Sequence, residues 1–272
     1  MRLGISKIPA SIRGLFLVAL VWEIFHLALG TAALPSPLEA GQALFGRLGR
    51  DMPAHLVFSL MRIFTATALQ IVLGAAIGFK LGTSHWADEV LGPAVKVLYP
   101  VPKIAFLPIF MILFGIGEFS KLLFVVVVAI FQTIVSVRDG VGEIPKPLFI
   151  AARSLDLRRA ALFRHLIVPA LMPRLFTSLR LGIGVGLSAL FFAENYATRY
   201  GVGYLIMSSF AMADYVSTYA GILALSIMAL GLFALVDGAE SRLCPWLRAG
   251  KGAARGDISS GLAKRAKTSR SL

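Results

Sequence analysis

The chain is poor in the residue types that carry most catalytic and metal chemistry. Among its 272 residues there are one cysteine, Cys244, and four scattered histidines. A lone cysteine excludes a disulfide within the chain and a cysteine-based metal cluster. The sequence also lacks the loop G-x-x-x-x-G-K-[ST] that cradles nucleotide phosphates, so we do not expect this chain itself to hydrolyse nucleotides. We therefore expect no catalytic residue, no bound metal and no cofactor in this chain.

Charged residues are also scarce, which points to a lipid environment. Only 15% of the residues are charged, 57% are hydrophobic, and the mean hydropathy is +0.80. A soluble domain of this length would need more polar residues to cover its surface. Apolar runs predict an all-α integral membrane protein with about six spans, at residues 15–33, 63–79, 90–117, 122–137, 175–196 and 215–236.

Three of these spans need comment. The first has basic residues before it, as a signal peptide has, but we expect an uncleaved transmembrane helix. The third contains four prolines and is predicted to be broken, because each proline removes a backbone donor. The stretch 125–130 is rich in valine and isoleucine and would favour a strand in water, but among membrane spans we expect it to be helical.

The distribution of basic residues predicts the orientation. With the N-terminus in the cytoplasm, nineteen lysines and arginines lie in inside segments and four in outside segments. Both termini are then cytoplasmic in a multi-pass protein of the bacterial inner membrane. The net charge of +13 flanks helices, which favours contact with lipid headgroups over nucleic acid. We divide the chain into an N-terminal helix and outer loop (1–55), a core (56–240) and a basic, disordered tail (241–272).

One inside segment, 138–174, has a pattern of its own. It carries seven basic residues and reads as helix–turn–helix, with apolar Leu148 and Leu155 near Arg158 and Arg159. Such a segment fits either a docking element for a protein partner or a helix lying on anionic lipid.

This segment resembles the cytoplasmic coupling motif of bacterial ATP-binding-cassette (ABC) importer permeases. That motif reads Glu-Ala-Ala, three residues, Gly, nine residues, Ile-x-Leu-Pro. Aligned on its proline, the chain supplies Ile150, Ala151 and Ala152, then Asp156, then Leu-Ile-Val before Pro169. The alanine pair and the proline keep their spacing, whereas isoleucine replaces the glutamate and aspartate replaces the glycine.

Further motifs resemble the nitrate/sulfonate/taurine-type permeases of that family. They are Tyr-Pro-Val-Pro-Lys-Ile-Ala-Phe-Leu-Pro at 99–108, Phe-Gly-Ile-Gly-Glu at 114–118, Arg-Leu at 180–181, Ala-Glu at 193–194, Gly-Val-Gly-Tyr-Leu-Ile at 201–206 and the spaced glycines 74, 78 and 82. We also expect Gly74 and Gly78 to serve close helix packing, the usual role of small residues at such spacing. The resemblance covers roughly residues 56–236.

The resemblance implies a permease homodimer without bond chemistry, working with ABC ATPase subunits that carry ATP and Mg²⁺ and with an extracytoplasmic solute-binding protein. Its coupling residues would be Ile150, Ala151, Ala152, Arg153, Asp156 and Pro169. Small alanines permit close approach, and Pro169 is expected to stop the second helix of the segment. The solute would be a small anion such as a sulfonate, nitrate or taurine, with a thiamine- or riboflavin-precursor-like heterocycle as the alternative.

Two charges near the outer ends of predicted spans and one other class of transporter complete the predictions. Arg62 is expected either to attract the solute or to extend to the lipid headgroups. Glu194 is expected to pair with Arg62 or Arg199, to stabilise the outer gate or to contact the solute. The alternative function is an ion-coupled secondary transporter. Such proteins commonly show internal repeats and acidic or histidine relays within their spans, and we find neither in this sequence.

Overall fold

The computed structural model describes residues 10–196 and 198–246, and within these the regular structure is helical. The helices are α1 (Ala10–Leu29), α2 (Pro37–Leu48), α3 (Met52–Thr83), α4 (His85–Leu98), α5 (Leu107–Phe114), α6 (Glu118–Gly142), α7 (Lys146–Ser154), α8 (Arg159–Leu162), α9 (Val168–Glu194), α10 (Val202–Ala211) and α11 (Tyr215–Leu243). A 3₁₀ turn (Lys103–Phe106) precedes α5, and a π-helical turn (Phe163–Ile167) joins α8 to α9. Of the predicted tail (241–272), the first three residues belong to α11, and the residues from 247 onward lie outside the described residues.

The all-α membrane fold is confirmed, but the count of six spans is not exact. Four described helices are long and apolar enough to cross a membrane, namely Met52–Thr83, Glu118–Gly142, Ala160–Glu194 and Tyr215–Leu243. The number becomes five if α4 and the segment 103–114 form one broken span. Helix α1 is not among these, although its apolar side chains, such as Phe16 and Leu27, are mostly exposed.

The predicted break in the third span is present. Helix α4 accommodates Pro93 in its interior but ends at Leu98, and the residues 99–102, which include Pro100 and Pro102, separate it from the 3₁₀ turn. Pro108 lies in the first turn of α5, where a missing N–H leaves no helical bond unmade. The valine-rich stretch 125–130 lies within α6, as predicted.

The chain divides into two compact units, and several long helices contribute residues to both. The first unit contains the residues up to Gln70 together with Val101–Ala129 and Ile183–Gly231, and the second contains Ile71–Pro100, Ile130–Gly182 and the residues from Leu232 on. A core of the first unit is formed by Leu44, Met52, Val202, Leu205, Ile206, Ala220 and Ala224. One core of the second unit is formed by Val137, Ile144, Ile167 and Leu171.

Within the second unit, spaced glycines bring α3 and α6 into close contact. A Cβ atom at Gly74 would lie 2.8 Å from the Thr133 Cβ, and one at Gly78 would lie 2.5 Å from the Ile134 carbonyl oxygen. Real side chains do not tolerate such distances, so only glycine allows this approach. The expectation that these glycines serve close helix packing is therefore confirmed.

Candidate functional site

The predicted coupling segment forms a short helix, α7, that ends in a tight left-handed turn. The Leu157 N–H donates to the Ala152 carbonyl oxygen at 3.2 Å, across five residues, and Asp156 between them has φ of 50°. This is the Schellman arrangement for ending a helix, in which the left-handed residue is usually glycine. Asp156 stands at the position where the family motif has glycine, and aspartate is among the residues that tolerate this conformation best.

The two faces of α7 differ in exposure. Ala152 is buried, and the neighbouring Phe149 packs against the core that contains Ile144 and Ile167. Ile150 is 64% exposed and Ala151 is exposed beside it. Only one alanine of the pair therefore faces outward, while the other anchors the helix.

Pro169 does not stop a helix, and that prediction was wrong. It is the second residue of α9, and the helix continues to Glu194. The preceding π-helical turn explains the difference, because the Val168 N–H bonds to the Phe163 carbonyl oxygen, five residues back. Widening the helix there accommodates a residue that lacks an N–H and crowds the preceding turn.

The predicted coupling residues are thus only partly brought together. Ile150, Ala151 and Asp156 are exposed on α7 and its C-terminal turn, Ala152 points into the core, and Pro169 lies beyond the π-helical turn. The backbone of Arg153 belongs to α7.

In the first unit, Arg62 is the centre of a buried charge cluster, which comprises Arg62, Glu118, Lys121 and Glu194. The Arg62 side chain is only 9% exposed. Its Nε and Nη2 atoms donate to the two carboxylate oxygens of Glu118 at 2.6 and 2.7 Å, and its Nη1 donates to Glu194 Oε1 at 2.8 Å. The same Nη1 also donates to the Tyr200 carbonyl oxygen at 2.7 Å. Arg62 therefore ties α3 to the start of α6, the end of α9 and the following loop.

Glu194 is held from several sides. The Ser59 hydroxyl donates to its Oε1 at 2.8 Å, and the Gly203 N–H donates to its Oε2 at 2.8 Å. A side chain at Gly201 would collide with the carboxylate, and a Cβ at Gly203 would lie 2.8 Å from the Phe191 carbonyl oxygen. The Gly-x-Gly motif after α9 therefore lets the backbone close over a buried carboxylate.

The remaining members of the cluster were not identified from sequence. Lys121 is one of the four basic residues that the sequence assigns to outside segments. Its side chain is nevertheless 2% exposed, with its Nζ 3.7 Å from Glu118 Oε1 and bonded to the Thr198 hydroxyl. Glu118 was noted as part of a motif without a role. A signal was available: Glu118 and Lys121 are three residues apart at the start of a helix, so they share a face.

An open cavity of about 350 Å³ adjoins the Arg62–Glu118 pair. Its walls are Phe58, Met61, Arg62, Thr65, Glu118, Phe119 and Leu122. The Arg62 guanidinium also lies 5.7 Å from the centre of the Phe58 ring, a cation–π contact. The cavity is thus mainly apolar, with ionic groups at one side.

The second unit has its own ion pairs. Arg138 contacts Asp88 at 2.6 Å beside a cavity of about 720 Å³, and Arg180 contacts Asp237 at 2.7 Å and also Glu240. Arg180 belongs to one of the sequence motifs, and its contacts join α9 to α11.

Among the described residues, there is no group of three or more His, Cys, Asp or Glu side chains that could hold a metal ion.

Comparison with known proteins relates this architecture to a family. Residues 70–249 match the binding-protein-dependent transport system inner membrane component. The chain belongs to this family. It is also 32% identical over 239 residues to the taurine transport system permease protein TauC of Escherichia coli, covering 85% of this chain and 86% of TauC. This ABC importer permease family consists of non-enzymatic transport subunits, so the chain is a multi-pass permease of the inner membrane.

Two further proteins extend the comparison. The nitrate import permease protein NrtB of Synechocystis is 25% identical over 235 residues, covering 83% of this chain and 85% of NrtB. A chain of the inward-facing MetNI methionine ABC transporter is 16% identical, with a TM-score of 0.51, and the match covers 74% of this permease and 96% of that chain. At that identity the MetNI likeness concerns the fold alone.

Proposed function

We propose that two copies of this permease form the path of an ABC importer for a small anionic solute. An extracytoplasmic binding protein would deliver the solute, and separate ATPase subunits, which bind ATP and Mg²⁺, would drive transport from the cytoplasmic side. The names of TauC and NrtB support a solute with an anionic group, because taurine carries a sulfonate beside its ammonium group and nitrate is itself an oxyanion. The charge distribution of the sequence supports an orientation with both termini in the cytoplasm.

The observation that carries the coupling proposal is the outward face of α7. Ala152 anchors the helix in the core, while Ile150 and Ala151 stand exposed on it. A short helix fixed in this way can transmit a displacement to the helices it packs on. Because isoleucine replaces the family glutamate at position 150, we infer an apolar groove on the ATPase. Arg153 or Asp156 would supply the polar contact.

The test is co-purification of the ATPase with single-residue variants of the permease. Ala151→Glu places a bulky charge on the docking face and leaves the buried Ala152 intact. The control is Ala211→Glu, the same change at an exposed position at the end of α10. We expect the ATPase to accompany the wild-type protein and the control but not Ala151→Glu. If the ATPase accompanies both variants, α7 is not the docking element, and if it never accompanies the wild type, the importer assembly is refuted.

The energy source and the solute can be tested together in proteoliposomes containing the permease, its ATPase and the binding protein. We expect ATP-dependent uptake of labelled taurine, with competition by other sulfonates or by nitrate. Uptake that follows an ion gradient without ATP would favour a secondary transporter. Competition by a neutral heterocycle alone would refute the anionic solute.

The orientation can be tested by labelling with a membrane-impermeant maleimide. Leu155 is 73% exposed just after α7, so Leu155→Cys in a Cys244→Ala background offers one reactive thiol. We expect labelling in inverted vesicles and not in intact spheroplasts. The opposite result would place this segment outside.

Arg62 and Glu194 have different parts in the proposal. Arg62 would lie on the solute path, because it borders the cavity of the first unit. Glu194 would hold Arg62 in place, since its carboxylate is 1% exposed and already bonded to Ser59, Arg62 and Gly203. Extension of Arg62 to lipid headgroups fits poorly with a guanidinium so fully engaged.

A further inference from the structure

We propose that the Glu118 carboxylate occupies the binding site of the transported anion, and that a small organic sulfonate displaces this carboxylate from Arg62 and Lys121. This inference rests on the proposed function, because it names the solute class and the binding groups for the same path. In the absence of solute, the Glu118 carboxylate would fill this binding site.

The geometry of the Arg62–Glu118 pair matches an oxyanion. Both Glu118 oxygens accept hydrogen bonds along one edge of the guanidinium, at 2.6 and 2.7 Å, and the Lys121 Nζ lies 3.7 Å from one of them. A sulfonate presents two oxygens at a similar separation, so it can make the same bidentate contact. Its third oxygen remains available to the ammonium group.

The two carboxylates of the charge cluster differ in how easily they can be displaced from Arg62. Glu194 is 1% exposed and accepts hydrogen bonds from three residues. The Glu118 side chain is 64% exposed and lies in the first turn of α6. Glu118 can therefore turn toward water, where its charge is well solvated, while Glu194 continues to hold the opposite side of Arg62.

The charge balance favours replacement by another anion. With Arg62 and Lys121 opposite Glu118 and Glu194, the cluster is formally neutral. Removing the Glu118 carboxylate would leave a net positive charge on groups that are almost fully buried, which is costly. A monovalent sulfonate restores neutrality at the same place.

The adjoining cavity provides room for the rest of the solute. Its volume of about 350 Å³ lies at the lower end of the range for small-molecule sites. The ionic edge would hold the sulfonate, and Phe58, Phe119 and Leu122 would contact a short alkyl chain. The site thus has one polar end and one apolar end, as an alkanesulfonate has.

The test is equilibrium binding of ³⁵S-labelled ethanesulfonate to the detergent-purified permease–ATPase complex. In Glu118→Gln the amide competes less well for the two cations, so ethanesulfonate should bind about tenfold more tightly than to wild type. A factor of about ten is expected if Glu118 leaves the binding site free about a tenth of the time in wild type. The matched control is Glu143→Gln, whose carboxylate pairs with Arg174 in the second unit. It should bind as wild type does.

A second variant tests the cavity without altering any charge. Thr65 is exposed on the cavity wall, and Thr65→Phe should weaken ethanesulfonate binding about tenfold, because the larger side chain fills the space. The neutral analogue ethanesulfonamide should not bind to any of these proteins. Equal affinity in wild type, Glu118→Gln and Thr65→Phe would overturn the inference. Co-purification of the ATPase distinguishes failure of this inference from failure of the proposed function. If the ATPase is present but this binding pattern is not, only the anion site at Glu118 is refuted. If the ATPase does not accompany the wild type, the proposed function is refuted.

Discussion

The strongest stability prediction concerns Glu194, whose replacement by glutamine keeps the shape of the side chain and removes its charge. The amide retains one acceptor but places an N–H₂ group where Glu194 Oε2 accepts from Gly203, so two donors would face each other. Breaking a buried ion pair typically costs about 3–5 kcal/mol. Because Arg62 keeps its bidentate contact with Glu118, we expect the lower end of that range, about 3 kcal/mol.

The measurement is unfolding of the purified permease in mixed detergent micelles by added SDS, followed by far-UV circular dichroism. Glu143→Gln provides the comparison, because both Glu143 and Arg174 are about half exposed and solvent screens their pair. That variant should lose at most about 1 kcal/mol. If Glu194→Gln and Glu143→Gln lose the same free energy of unfolding, burial of the charge cluster does not make its ion pairs more stabilising than an exposed pair.

Three further predictions concern the end of a helix, the contact between two helices and a buried thiol. Asp156→Gly should stabilise the end of α7 by about 1 kcal/mol, because glycine adopts positive φ without steric cost, and should slow tryptic cleavage after Arg158; faster cleavage would contradict it. Gly78→Leu should prevent folding by separating α3 from α6, whereas Gly231→Leu, with open space around it, should yield normal amounts of monodisperse protein in size-exclusion chromatography; equal yields would contradict the packing argument. Burial raises the pKa of the Cys244 thiol, so less thiolate is present at pH 8, and alkylation by N-ethylmaleimide should be far slower than for glutathione until SDS unfolds the protein.

Local patterns predicted the helices well because a lipid environment leaves few alternatives to them. The run 125–130 illustrates this, since its strong preference for strands yields to the need to satisfy backbone groups within the segment. The prolines of the third span likewise predicted a break, because their effect on a helix is local. The spaced glycines predicted close packing, although not that α6 would be the partner.

The charge cluster and the role of Pro169 depended on information that local patterns do not contain. Arg62, Glu118 and Glu194 are far apart in sequence, so their contacts arise only when three helices pack together. The orientation rule counted Lys121 only as an outside charge, because it does not consider a partner carboxylate one turn away. Pro169 was expected to end a helix, since sequence alone did not reveal the π-helical turn that accommodates it.

That π-helical turn makes the length of the segment between α7 and α9 critical to a single residue. Deleting one residue from 163–167 would restore regular α-helical spacing and turn everything on its N-terminal side by about 100° about the helix axis. The exposed face of α7 would then point in a different direction, and Pro169 would clash with the turn before it. Related permeases should therefore tolerate many substitutions in this short segment but very few insertions or deletions. The number of residues in it determines the direction in which the proposed docking face of α7 points.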